Sequence, residues 1–86
     1  MIKMIRTDPL QNVATDSHEP GILSTHTFRN WNEVFVYLKS HGIPITDSDL
    51  AEMERFDDTQ FSHREFVNAG HSAYSCNVLY DICVQS

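Results

Sequence analysis

Residues 73–84 read AYSCNVLYDICV, and the fold class turns on whether they form a strand or a helix. Tyr74, Cys76, Val78, Tyr80, Ile82 and Val84 alternate with Ser75, Asn77 and Asp81, which gives one apolar and one polar face in an extended chain. Leu79 and Cys83 interrupt the polar side. β-Branched and aromatic residues dominate, as a pleated, half-buried surface prefers. Tyr74, Val78 and Ile82 also stand four apart, so a helix is the alternative. The alternation favours a C-terminal strand.

A lone strand needs partners, and the N-terminal third offers two. Met1–Thr7 alternates weakly, with Ile2 and Met4 on one side and Lys3 on the other. Ile22–Phe28, ILSTHTF, is rich in β-branched residues. Between them, residues 8–20 are polar and carry Pro9, which reads as a loop. Glu19-Pro20-Gly21-Ile22 suits a type II turn, with Pro presetting φ and Gly supplying a positive φ. Pairing these two strands requires that long loop.

The middle of the chain is helical in pattern. In NWNEVFVYLKSHGIPI, Asn30 can cap and Glu33 follows three residues on, the spacing of a capping box. Trp31, Val34, Phe35 and Leu38 follow the i, i+3, i+4, i+7 rule, and Gly42 and Pro44 end the run. A second start lies at Thr46, with Asp49 in the reciprocal position and Ile45 and Leu50 placed as a hydrophobic staple. Leu50, Met53 and Phe56 are its expected inner face. A third start lies at Ser62, with Glu65 answering it and Phe61 and Phe66 as a staple, and Gly70 as its end. The sequence therefore predicts an α+β fold: a small single domain over 1–86, with two to three central helices packed on a small antiparallel sheet. The sheet is formed by the N-terminal strands and the C-terminal strand.

With 86 residues, such a domain buries about 60–65% of its unfolded surface and has an expected stability of about 4–13 kcal/mol. That leaves little room for a deep substrate cavity and favours binding through the outer surface.

Charge is the strongest functional lead. Residues 47–58, DSDLAEMERFDD, hold six carboxylates against one cation, Arg55, and so carry −5 of the chain's −6. The six cationic residues, Lys3, Arg6, Arg29, Lys39, Arg55 and Arg64, are scattered. A chain so charged repels nucleic acid, which excludes the DNA-reading form of a helix-turn-helix over Trp31–Asp58. Carboxylates in a first helical turn favour the helix dipole, and a surface helix must expose polar groups, so a merely solvated helix face is the alternative reading of the whole pattern. On a helix running through 58, however, Asp47, Glu54 and Asp58 fall within about 40° of each other along about 16 Å. Such a stripe mimics the charge spacing of a nucleic-acid strand. The design is analogous to that of acidic inhibitors of the anti-restriction or anti-CRISPR type.

The candidate partner-binding residues are Asp47, Asp49, Glu52, Glu54, Asp57 and Asp58, facing a basic and nucleic-acid-binding protein surface. The expected function is non-enzymatic inhibition by that contact. A small structural or regulatory module docking through an apolar face or strand edge is the alternative.

Other constellations are weak. An EF-hand ending at Glu65 would place Phe56 and Thr59 where a ligand and a glycine are needed. His18, His26, His41, His63 and His71 show no metal-ligand spacing with one another or with cysteine, so no metal or cofactor is expected, and surface or capping roles are. No nucleophile–base arrangement is legible for Cys76 or Cys83. The cysteines are seven residues apart, too far for a disulfide within one regular element. Two free thiols, no signal sequence and no span of about 20 apolar residues predict a cytoplasmic protein.

Overall fold

The computed structural model describes residues 1–9, 21–69 and 72–85. Four strands and two helices follow in the order β1 (Ile2–Thr7), β2 (Ile22–Phe28), α1 (Trp31–Ser40), α2 (Asp47–Phe56), β3 (Asp58–Ala69) and β4 (Ser72–Val84). The strands form one antiparallel sheet in the order β2-β1-β4-β3.

The tail is a strand, and its alternation is why. Cys76, Val78, Tyr80 and Ile82 are buried, while Ser75, Asn77 and Asp81 are exposed. Ile2 and Met4 of β1 stand opposite Val84 and Ile82 of β4, so the buried faces of both strands coincide. β1 pairs with β2 on its other side, from Ile2 opposite Phe28 to Thr7 opposite Ile22, with a bulge between Arg6 and Thr7. The expected turn at 19–22 and most of the 8–20 loop lie outside the described residues.

The helices cover the face bearing Ile2, Met4, Val78 and Ile82. α1 contributes Trp31, Val34 and Leu38, the connection contributes Ile43 and Ile45, and α2 contributes Met53. Asn30 caps α1 by accepting from the Glu33 N–H at 3.0 Å. The reciprocal bond closes one residue upstream of the expected box: Glu33 accepts from the Arg29 N–H at 2.8 Å and pairs with its guanidinium. At the other end, Ile43 N–H donates to the Leu38 carbonyl at 3.0 Å and Gly42 N–H to Lys39 at 3.1 Å, which is the Schellman arrangement. Gly42 has φ of 75°, the left-handed region. A Cβ there would meet nothing within 4 Å, so Gly42→Ala will cost only the conformational penalty of about 1–2 kcal/mol. Urea unfolding midpoints will show this loss, and Gly42→Asn will lose less.

Thr46 and Asp49 form the full capping box of α2. Ile45 is buried and Leu50 half-buried against the same core. Met53 is the one buried side chain α2 supplies.

Two expectations fail in this region. Residues 62–69 are not a third helix but the outer part of β3, and the expected stop at Gly70 lies outside the described residues. A helix there would bring no i, i+3, i+4 apolar stripe. As a strand, the same residues place Phe61, His63, Glu65 and Val67 on the covered face, and Phe61 stacks on Tyr80 at 4.9 Å. The same strand removes the EF-hand reading, because a calcium loop cannot lie in a regular ladder. Second, Phe56 is not inward: it is 61% exposed. It is the last residue of α2, and Asp57 follows in the left-handed conformation at φ 58°, turning the chain at once into an edge strand with no described element beyond it.

Candidate functional site

The acidic segment spans three local structures. Asp47, Asp49, Glu52 and Glu54 lie on α2, Asp57 caps it, and Asp58 opens β3. The single helical stripe of Asp47, Glu54 and Asp58 is therefore broken, because the helix ends at Phe56. Asp47 and Glu54 still share one side of α2. All six carboxylates are exposed except Asp49, which is half-buried and receives the Thr46 N–H at 2.8 Å.

The other side of α2 is organised differently. Asp49, Glu52, Met53 and Phe56 stand at i, i+3, i+4 and i+7, about 150° around the helix from Asp47 and Glu54. This side faces β3 across an open cleft of about 400 Å³. Ile43, Ile45, Met53 and Phe61 give it an apolar lining. Asp49 and Glu52 give it negative charge, and Asp58, Thr59, Ser62 and His63 complete the β3 wall. Thus Asp49 and Glu52 meet at this concave surface, Asp58 borders it with its side chain on the other face of β3, and Asp47 and Glu54 look away from it. Glu52 and Asp58 make no ion pair among the described residues.

β3 is also a free edge. Val84 N–H donates to the Asp57 carbonyl at 3.0 Å. Antiparallel ladders alternate, so Thr59, Phe61, His63, Glu65 and Val67 turn their backbone groups to β4. Gln60, Ser62, Arg64, Phe66 and Asn68 turn theirs outward. Phe66, 70% exposed, projects from the uncovered face of this strand.

A second cluster was not legible as a site in the sequence. On the covered face, Arg6 donates to Glu65 Oε1 at 2.7 Å, Tyr80 Oη at 3.2 Å and Ser24 Oγ at 2.8 Å. Tyr80 donates to the other oxygen of Glu65. His26 Nε2 lies 3.1 Å from Ser24 Oγ, and His63 Nδ1 lies 3.6 Å from Glu65 Oε2. His26 and His63 are thus half-buried parts of the sheet and not the surface or capping groups expected. His41 does fit that expectation: it is exposed at the end of α1 and its ring stacks on Tyr37 at 4.0 Å. One sequence signal was available for the cluster. Arg6 continues the Ile2, Met4 spacing, which places a cation on the apolar face.

This cluster holds its own charges in place. Burial disfavours a charged Glu65, but hydrogen bonds from Tyr80 and Arg6 outweigh it and hold its pKa below the ordinary carboxylate value. Burial likewise opposes a charged Arg6, and its bonds to Tyr80 and Glu65 overcome that opposition. Burial and the bond to Glu65 push Tyr80 up to about 12. Burial, then the positive field of Arg6, lowers His26. Arg6, Glu65 and Tyr80 thereby satisfy one another across three strands, which is a positioning role. Elsewhere on this face, Tyr74 donates to the buried Asp8 at 2.8 Å.

Cys76 and Cys83 are free thiols on opposite faces of β4. Burial, reinforced by nearby Asp8, raises the Cys76 thiol. Among the described residues no group of three or more His, Cys, Asp or Glu is arranged to hold a metal ion, and no helix is long and apolar enough to cross a membrane. Comparison with protein families, curated proteins and solved structures finds no match.

Proposed function

We propose that this is a non-enzymatic binding protein whose acidic surface, α2 with the turn into β3, docks on a basic protein surface of the kind that holds nucleic acid. It would act there as an inhibitor. The reading is supported above all by the exposure of Asp47, Glu52, Glu54, Asp57 and Asp58 without a salt-bridging partner among the described residues. By contrast, Arg6 and Arg29 are committed to Glu65 and Glu33. Five uncompensated carboxylates around one short helix create a local negative field suited to steering toward cations. A cytoplasmic setting accords with the two free thiols.

The test is capture of partners by immobilised wild type and by the triple variant Glu52→Gln, Glu54→Gln, Asp58→Asn. None of these three residues serves the capping box or the first turn of α2, so the fold should be unchanged by circular dichroism. The expected result is a basic partner retained by wild type at low salt and lost by the variant. Equal retention by both proteins would remove the acidic surface from the interface.

A further inference from the structure

We infer that the α2–β3 cleft and the open edge of β3 form one binding groove for an extended basic segment of a partner protein, which adds to the sheet as a fifth strand. This rests on the acidic-surface reading above and specifies how that surface is used.

Three observations on different parts of the molecule converge. The outward backbone groups of Gln60, Ser62 and Arg64 are a template for strand addition. The covered-face side chains of the same strand, Thr59, Phe61 and His63, line the cleft under α2. A strand laid along β3 would therefore send every second side chain, at steps of about 6.6–6.8 Å, toward that cleft. Finally, the cleft combines apolar surface from Ile45, Met53 and Phe61 with the unpaired carboxylate of Glu52 and the capping carboxylate of Asp49. Lysine and arginine match both properties, since their stems are apolar and their heads are cationic.

The protein's own chain is a poor occupant. Residues 10–20 contain Asp16 and Glu19 and no Lys or Arg. The closest pair of Lys or Arg residues, Lys3 and Arg6, sits in β1, which is paired on both sides. A second copy would bring an acidic edge to an acidic cleft.

The experiment is titration of isotope-labelled protein at low salt, read by amide shifts and amide exchange. The probe is an acetylated, amidated hexapeptide of sequence lysine-valine-arginine-valine-lysine-valine. Two further versions carry N-methyl groups on its odd or its even residues, and spermidine serves as a cation without a backbone. The parent peptide should shift and protect the amides of Gln60, Ser62 and Arg64. One N-methylated frame should bind like the parent and the other at least about tenfold more weakly, because only one set of peptide N–H groups faces β3. Spermidine should shift signals near Asp49 and Glu52 without protecting the edge.

Equal binding of both N-methylated frames, or a parent peptide that leaves the edge amides unprotected, overturns the fifth strand and leaves the acidic-surface reading standing. Peptide and spermidine both without effect would overturn the two together. Edge amides already protected in peptide-free protein, in a concentration-dependent way, would assign the groove to a second copy and also overturn the inference.

Discussion

Leu38→Ala will lower the unfolding free energy by about 2–5 kcal/mol, the range for deleting a buried leucine side chain. Leu38 is fully buried among Val34, Ile43 and the sheet residues of one core. It also supplies the carbonyl that receives Ile43 N–H, so its position is set by the helix stop as well as by packing. The surrounding α1 and sheet are held by their own ladders and cannot collapse far into the gap. For a domain of this size, with about 4–13 kcal/mol in total, the change removes a large share of the stability. Urea denaturation should show the midpoint shift with little change in slope. Val36→Ala on the exposed side of the same helix is the control and should shift the midpoint little.

Glu65→Ala should cost about 2–4 kcal/mol, somewhat below the range for a fully buried pair, because Arg6 and Glu65 retain 18% and 20% of their side-chain exposure. The loss comes chiefly from what remains: Arg6 keeps its charge without its carboxylate, and the Tyr80 hydroxyl loses its acceptor. Acid should reproduce part of this. The folded pKa of Glu65 is depressed from 4.5, so its contribution is present above that value and is lost as pH falls through the folded value. The folded pKa of His26 is depressed from 6.5, so the unfolded chain takes up a proton that the fold refuses, and stability declines as pH falls below about 6.5. Unfolding midpoints should therefore fall from pH 7 toward pH 4. Glu65→Gln should flatten the acidic part of the profile, and His26→Gln the part nearer neutrality.

Local signals made most of the architecture legible. The period of two in β4, the Asn30 and Thr46 caps of α1 and α2, and the glycine stop at Gly42 each act within a few residues and stand where expected, although the reciprocal Glu33 bond of α1 goes to Arg29 and not to Asn30. β3 escaped because its cap-and-staple pattern is also local, while its stabilisation is not. The ladder to β4 and the Phe61–Tyr80 stack depend on residues the sequence sets well apart. The same limit governed the site. The acidic segment was visible as composition, but helical geometry was extended two residues too far, which put Asp58 in a stripe with Glu54. The turn at Asp57 instead starts β3 at Asp58, whose side chain shares the uncovered face with Cys83 opposite it. The Arg6–Glu65–Tyr80 cluster joins three strands, and only their register brings it together.

The most direct test of the acidic docking surface is the affinity of a captured partner measured across salt concentration, with wild type and with Glu52→Gln, Glu54→Gln, Asp58→Asn, in the presence and absence of short duplex DNA. We expect wild-type affinity to fall steeply as salt rises, because exposed charge pairs are screened over about 8–10 Å near physiological ionic strength. The triple variant should bind weakly with a shallow salt slope, and the duplex should displace the wild type. An affinity insensitive to salt, unchanged in the variant and unaffected by the duplex would contradict electrostatic docking and leave α2 as a solvated helix face.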